Sequence, residues 1–251
     1  MKKTLLCGLL TAGMMLVNNN GVQAAGSKMY VLTKVQYDQN YLFQGKASTS
    51  YGYNAKGLVT KETHNWPNSI MKGTYSYTYN GNNRIVKTSG GTKLTYKGSK
   101  LVKIGDKKLT YNKKGQLIKA GHDPETKFTY NRKGQLWKAQ YVNGFEIFPT
   151  YEYDGKGQLK TFRMDGPNGE KGDVITYKNV YRGSLLVKQN YTYKKEGKKN
   201  ALKGTITYYY KKVNVPYALK KRVLAQQSAL HYAGNGDYYG MYWTNYFFYM
   251  A

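Results

Sequence analysis

Short alternations of apolar and polar residues, broken by glycine turns, dominate the chain after residue 50. Leu109-Thr110-Tyr111-Asn112-Lys113-Lys114-Gly115-Gln116-Leu117-Ile118-Lys119 is followed by Phe128-Thr129-Tyr130-Asn131-Arg132-Lys133-Gly134-Gln135-Leu136-Trp137-Lys138, and then by Tyr151-Glu152-Tyr153-Asp154-Gly155-Lys156-Gly157-Gln158-Leu159-Lys160. Looser copies begin at Tyr51, Tyr77, Leu94, Ile175, Tyr191 and Thr207. The central tyrosines Tyr53, Tyr79, Tyr96, Tyr111, Tyr130, Tyr153, Tyr177 and Tyr193, with Tyr209 after them, recur at uneven intervals. The unit is therefore a structural module with loops of variable length and not a rigid solenoid rung.

Each unit reads as a β-hairpin. In Phe128 to Lys138 the β-prone Phe-Thr-Tyr leads into Asn131-Arg132-Lys133-Gly134, where Gly134 suits the left-handed position of a bulged three-residue loop. Asn131 can accept hydrogen bonds from the turn amides. Closure between Asn131 and Gln135 sets Tyr130 opposite Leu136 and Thr129 opposite Trp137. Phe128, Tyr130 and Leu136 then share one face, because strand side chains alternate. The same register pairs Tyr111 with Leu117, Tyr153 with Leu159 and Tyr53 with Leu58. The other face carries Thr and Lys, with Val59, Ile118 and Trp137 interspersed, and is too polar for the second layer of a sandwich.

The expected fold is all-β: an antiparallel meander of repeated hairpins forming an extended, twisted or partly wrapped sheet. The tail departs from this grammar. Pro216 and the helix formers up to His231 predict a short helix. Asn235-Gly236 marks a turn, and the aromatic run from Met241 to Met250 predicts a closing strand. The boundaries are a leader over 1–24, an N-terminal strand or hairpin region over 25–50, the repeats over 51–213 and a helix-plus-strand cap over 214–251.

The Tyr-x-Tyr-Asx-x-x-Gly-x-Leu core resembles the YD repeats of Rhs-type and teneurin-type proteins, with Tyr151-Glu152-Tyr153-Asp154 the nearest copy. The resemblance runs over roughly Tyr51 to Gly197. It departs from the family where Asn or Lys replaces Asp and where Gln follows the turn glycine in place of Arg. It implies a secreted β-hairpin array without catalytic residues or cofactors. A weaker likeness is to choline- and glucan-binding repeats, which rely on paired Trp-Tyr platforms; this chain offers only Trp66, Trp137 and Trp243.

Export follows from the N-terminus. Lys2 and Lys3 precede an apolar stretch from Leu5 to Val17, and Val22-Gln23-Ala24 supplies a small-x-small cleavage pattern. Cleavage there removes Cys7 and leaves a chain without disulfides or a membrane span. The expected location is the cell surface or periplasm of a bacterium.

Charge sharpens the functional reading. Lys and Arg number 40 against 13 Asp and Glu, a formal charge of +27. The five arginines are Arg84, Arg132, Arg163, Arg182 and Arg222, so lysine carries the charge. Lys87, Lys103, Lys119, Lys138, Lys160 and Lys188 follow the aliphatic positions of the repeats. Lys113, Lys114, Arg132, Lys133 and Lys156 occupy the hairpin loops. Stripes of such charges, interleaved with tyrosine, suit an anionic glycan, teichoic acid, lipopolysaccharide or extracellular DNA. The competing class is an envelope or matrix scaffold, engaging a protein partner or its own copies, whose lysines only protect the sheet.

Catalysis is not expected. None of the HExxH, GxSxG, GxGxxG or P-loop patterns occurs. His64, His122 and His231 are isolated. The local carboxylates Glu146, Glu152, Asp154 and Asp165 read as partners for lysines. The Asp165 to Asp173 segment lacks calcium-loop spacing, and no metal or cofactor is expected.

Overall fold

The computed structural model describes residues 26–39, 45–67, 72–121, 125–142, 148–166, 170–233 and 247–250. The leader, His122, Glu146, the Asn235-Gly236 turn and Met241 to Tyr246 lie outside the described residues.

Among the described residues sixteen strands follow one another. The first six are Ser27–Tyr37 (β1), Ala47–Tyr53 (β2), Val59–Asn65 (β3), Gly73–Tyr79 (β4), Ile85–Thr88 (β5) and Leu94–Lys97 (β6). Next come Lys100–Ile104 (β7), Lys107–Tyr111 (β8), Leu117–Ala120 (β9), Glu125–Tyr130 (β10) and Leu136–Val142 (β11). Phe148–Tyr153 (β12), Leu159–Asp165 (β13), Asp173–Arg182 (β14), Leu185–Lys194 (β15) and Ala201–Val215 (β16) complete them. All pairings are antiparallel, and β1 pairs with β16. At the remaining seam, Lys87 bridges Lys93 and the Thr88 N–H donates to the Thr92 carbonyl at 3.0 Å. The meander thus wraps until its edges meet, which removes exposed edges.

Strict alternation of direction places the connections at two ends. The loops entering the odd strands β3 to β15, the end of β16 and the start of β1 form one end, here the turn end. The remaining connections form the far end.

Every hairpin at the turn end carries a one-residue bulge. Tyr130 faces Leu136 and Thr129 faces Lys138, which leaves Trp137 unpaired. The expected Thr129–Trp137 pair is therefore corrected. The bulge residue and its successor both point outward, and the side chains on either side return inward. Buried Leu117 and Ala120, for example, flank Ile118 and Lys119. The loop chemistry is as the sequence implies. Gly134 has φ +79°, and the Asn131 N–H donates to the Gln135 carbonyl at 2.9 Å. Asn131 Oδ1 accepts from the amides of Lys133 and Gln135, both at 3.0 Å. In the β2–β3 hairpin Tyr53 faces Val59, not Leu58. Leu58 occupies the loop position held by Gln116 and Gln135 elsewhere, so Val59 faces the core.

Inside the wrapped sheet, Tyr37, Trp66, Phe162, Ile175 and Ile206 are buried. A 3-10 turn over Tyr217–Leu219 leads into Lys220–Ala233 (α1), which closes the turn end. The helix buries polar side chains as well as apolar ones. Gln227 Oε1 accepts from the Leu32 N–H at 2.6 Å, and Gln226 Oε1 from the Val59 N–H at 3.2 Å. These amides lie at bulges, where the ladder leaves donors without a strand partner.

The predicted aromatic closing strand is corrected: residues 247–250 are helical. A closed sheet offers no free edge for another strand, so the backbone satisfies itself locally. Phe248 is buried against Tyr77, ring centroids 4.9 Å apart, and Phe247 meets Phe128 at 5.7 Å.

Candidate functional site

The bulges free carbonyls as well as amides, and tyrosine hydroxyls take them up. Tyr130 donates to the Leu117 carbonyl at 2.7 Å, Tyr111 to Leu101 at 2.6 Å and Tyr153 to Leu136 at 2.6 Å. Tyr79 reaches Val59 at 2.6 Å, Tyr96 reaches Ile85 at 2.9 Å and Tyr210 reaches Leu186 at 2.5 Å; Tyr53 donates to Leu32. Each acceptor lies directly opposite the preceding tyrosine of the series; Leu117, for instance, faces Tyr111. The eighth member, Tyr181, donates to Asp154 Oδ2. The result is a belt of hydroxyl-to-wall contacts running round the turn end, across the β5–β6 seam and the β1–β16 junction. Burial pushes the phenols of Tyr53, Tyr79, Tyr111 and Tyr210 upward, so they remain donors at neutral pH.

Six of the eight predicted ladder tyrosines stand in this belt: Tyr53, Tyr79, Tyr96, Tyr111, Tyr130 and Tyr153. Tyr177 and Tyr193 do not. The β14–β15 hairpin is longer, so Tyr181 stands next to its turn while Tyr177 lies deeper, opposite Tyr191. Tyr193 is at the far end and donates to Asp173 Oδ2 at 2.5 Å; burial and that carboxylate push its phenol up to about 12. In the hairpins, adjacency to the turn and not the Tyr-x-Tyr spacing marks the belt; Tyr210 joins it at the β1–β16 bulge, opposite Leu32.

Below the belt runs a girdle of lysines. The bulge gives each odd strand an in-out-out-in tetrad, and Lys87, Lys103, Lys119, Lys138 and Lys188 all hold its third position. Lys34 and Lys61 hold it too, in Leu32-Thr33-Lys34-Val35 and Val59-Thr60-Lys61-Glu62. The same tetrad was readable there, although no standard turn precedes Leu32. Lys160 is corrected: it is the bulge residue of its hairpin, and Thr161 takes the girdle position opposite Glu152. Equivalent positions two strands apart lie roughly 10 Å from one another. On neighbouring strands Lys87 faces Lys93, Lys103 faces Lys108 and Lys119 faces Lys127. Directly opposed like charges destabilise a sheet. Glu125 relieves one pair, 3.3 Å from Lys119 and 3.9 Å from Lys127.

The two ends differ in their acidic residues, while lysines stand at both, Lys46, Lys72, Lys171, Lys195, Lys198 and Lys199 at the far one. Lys113, Lys114, Arg132, Lys133 and Lys156 all lie in turn-end loops, joined by Lys56, Arg84, Lys97, Lys100 and Arg182. Among the described residues, Asp154 is the one acidic residue in those loops. Asp38, Asp106, Glu125, Asp165, Glu170, Asp173 and Glu196 are all at the far end. Asp154 itself is engaged. Burial opposes its ionisation, but bonds from Tyr181, Asn179 and the amides of Gln158 and Lys156 hold its carboxyl below the usual range.

The sequence profile of the Teneurin YD-shell matches residues 30–168, more than half of the chain. The chain belongs to the YD-shell family. Among solved structures, this YD-shell chain is similar to a porin-like protein from Bacteroides uniformis ATCC 8492. Identity there is 13%, over 75% of this chain and 98% of that one, with a TM-score of 0.49. It is also similar to the TcdB2-TccC3-Cdc42 complex, at 14% identity over 63% of this chain, with a TM-score of 0.24. A Photorhabdus luminescens Tc holotoxin pore aligns at 13% identity over 63% of this chain, with a TM-score of 0.23. The YD-shell chain spans about a tenth of those toxin chains' length. Comparison with curated proteins gives no match.

A further polar group of this YD shell gathers around His64. His64 stands between Thr49 at 3.1 Å and Glu62 at 3.4 Å, and Tyr77 donates to Glu62 at 2.7 Å. Thr49 also accepts from the Trp66 ring N–H at 3.2 Å, and its hydroxyl is buried beneath the wall. Asp154 and Asp165 lie at opposite ends of the sheet, and Asp165 pairs with Arg163 at 3.3 Å. Among the described residues no group of three His, Cys, Asp or Glu could hold a metal ion, and no helix is long and apolar enough to cross a membrane.

Proposed function

We propose that this YD-shell protein is a non-catalytic, extracytoplasmic binding module that holds an anionic cell-envelope or extracellular polymer along its lysine girdle and turn end. The observation that carries the reading is the equivalence of seven lysines on one outward level of a wrapped sheet, three of them directly opposite further lysines. Surface lysines placed only for solubility would be dispersed among acids to limit self-repulsion. Here the acids are drawn to the far end. A row of point charges about a Debye length apart suits a flexible polyanion, which can meet several at once and release its counterions. Lysine without arginine on the girdle favours charge over geometry, and therefore breadth among polyanions.

The test is binding to teichoic acid, lipopolysaccharide and DNA over a range of salt. The expected result is affinity that falls steeply with salt, with a shallower slope for Lys103→Gln/Lys119→Gln/Lys138→Gln. An unchanged slope, or no binding at low salt, overturns it. Salt-resistant self-association in place of binding would favour the scaffold reading.

A further inference from the structure

Several turn-end loops share one device: the side-chain oxygen of an Asn or Asp at the loop entrance accepts two backbone amides. The donors are Lys56 and Leu58 at Asn54, and Lys114 and Gln116 at Asn112. They are Lys133 and Gln135 at Asn131, and Lys156 and Gln158 at Asp154. The β4–β5 loop, Asn80-Gly81-Asn82-Asn83-Arg84, has the same geometry, with Asn80 Oδ1 3.0 Å from the amides of both Asn82 and Arg84. Its chemistry differs on either side. Glycine follows Asn80, where Ala55, Lys113 and Arg132 follow the other asparagines. Arg84 stands where Gln116 and Gln135 accept from the side-chain nitrogens of Asn112 and Asn131, at 2.9 and 3.0 Å. A guanidinium has no acceptor and cannot hold Asn80 Nδ2 in that way. Asn80 and Gly81 are both exposed.

We propose that Asn80 is a self-modification site, deamidated through attack by the backbone nitrogen of Gly81. The reaction needs no ligand and stands apart from polymer binding. Solvent base removes the Gly81 N–H proton, and the nitrogen forms a bond to Asn80 Cγ. Negative charge develops on Oδ1, at which the Asn82 and Arg84 amides already point. The Cγ–Nδ2 bond then breaks, and the nitrogen leaves as ammonia with a proton from water. Water opens the cyclic imide at either carbonyl, leaving aspartate or isoaspartate. Every loop of the set polarises its side-chain carbonyl; Asn80 alone among those asparagines has a nucleophile without a neighbouring Cβ and with free backbone rotation. Gly155 follows Asp154 as well, but bonds from Asn179 and Tyr181 favour the carboxylate there, which resists nucleophilic attack.

The two products differ in consequence. Aspartate keeps the turn, since Asp154 makes the same bonds, and adds an acid to loops that are otherwise basic. Isoaspartate lengthens the backbone by a methylene inside a hairpin that the Asn80 N–H closes on the Arg84 carbonyl at 2.9 Å. The displacement falls next to Ile85, whose carbonyl accepts from Tyr96 across the β5–β6 seam at 2.9 Å. The modification thus acts at the place where the wrapped sheet meets itself.

The test is peptide mass spectrometry on the full chain after incubation in mildly alkaline buffer. Amide-to-acid conversion is expected at Asn80, with Asn54, Asn112 and Asn131 intact. Gly81→Ala is expected to suppress it, and the added methyl meets nothing within 4 Å. Arg84→Gln, which restores the acceptor for Nδ2, is expected to slow it. Lys113→Gly/Gln116→Arg is expected to transfer the reaction to Asn112. The isoaspartate fraction is expected to unfold at lower urea than the aspartate fraction, which should match Asn80→Asp. Conversion of Asn54, Asn112 or Asn131 as fast as Asn80, no effect of Gly81→Ala, or an intact Asn112 in the transplanted loop overturns the assignment.

Discussion

Replacing one belt tyrosine by phenylalanine isolates the contribution of the hydroxyl contact. Tyr130 donates to the Leu117 carbonyl at 2.7 Å, and Leu117 is fully buried. Tyr130→Phe keeps the ring packed on the core but leaves that carbonyl without its donor. The cost is about 1–3 kcal/mol, the range for a buried polar group deprived of its partner. With a urea dependence of about 3 kcal/mol per molar for a domain near this size, the unfolding midpoint should fall by roughly 0.3–1 M at unchanged slope. Tyr30→Phe is the control, because Tyr30 is 46% exposed on the outer wall; its midpoint should move little. Tyr111→Phe should behave like Tyr130→Phe. The double variant should be non-additive, since the Leu117 acceptor of Tyr130 lies opposite Tyr111. If Tyr130→Phe and Tyr30→Phe shift the midpoint equally, the belt is packing alone and the reasoning fails.

Acid should loosen the seal between α1 and the sheet. His231 is half-buried against Tyr208 and Tyr210, with Nδ1 on the Gln227 carbonyl at 2.9 Å and Nε2 on the Tyr210 hydroxyl at 2.7 Å. Burial lowers its pKa from 6.5 to about 4. The folded state thus binds fewer protons than the unfolded one across that window. Stability should be full above about pH 7 and fall by about 3 kcal/mol on descending to pH 4. Urea midpoints for wild type and His231→Gln, with the slope against pH flattened in the variant, check this. Gly134→Ala forces a side chain into φ +79° and should cost about 1–2 kcal/mol in thermal or urea unfolding, without altering the core. Gly204→Ala should cost more, because the new methyl would lie 2.6 Å from the buried Tyr191 ring; loss of near-ultraviolet circular dichroism along with stability would report the displaced tyrosine.

The family match and the hairpins share one origin in local chemistry. Asn131 and Gly134 fix a turn from within four residues, and Tyr130 opposite Leu136 follows from that turn alone. The girdle was legible for the same reason, since Lys87, Lys103, Lys119, Lys138 and Lys188 each stand three residues after a loop closure. Errors arose where one residue changed parity. Trp137 is pushed from the ladder by its bulge, and Lys160 stands in the equivalent place of a hairpin that puts Thr161 on the girdle. A period-two reading cannot see a bulge, because the bulge is defined by the partner strand.

What the chain determined by itself is the repeated unit: its turn, its bulge-prone glycine, the outward lysine and the start of a helix after Pro216. Tertiary structure alone decided how those units were used. Pairing β1 with β16 and bringing β5 to β6 wrapped the meander round on itself, contacts between residues nearly 190 positions apart in the first case. That closure chose Tyr181 and Tyr210 for the belt and made residues 247–250 helical for want of a free edge. It also placed the loop carboxylates other than Asp154 at the far end, among lysines such as Lys171 and Lys198. Local propensity fixes the geometry of a hairpin. Which hairpins become neighbours depends on burying one continuous face and satisfying every backbone group at once, and no short stretch of sequence records that sum.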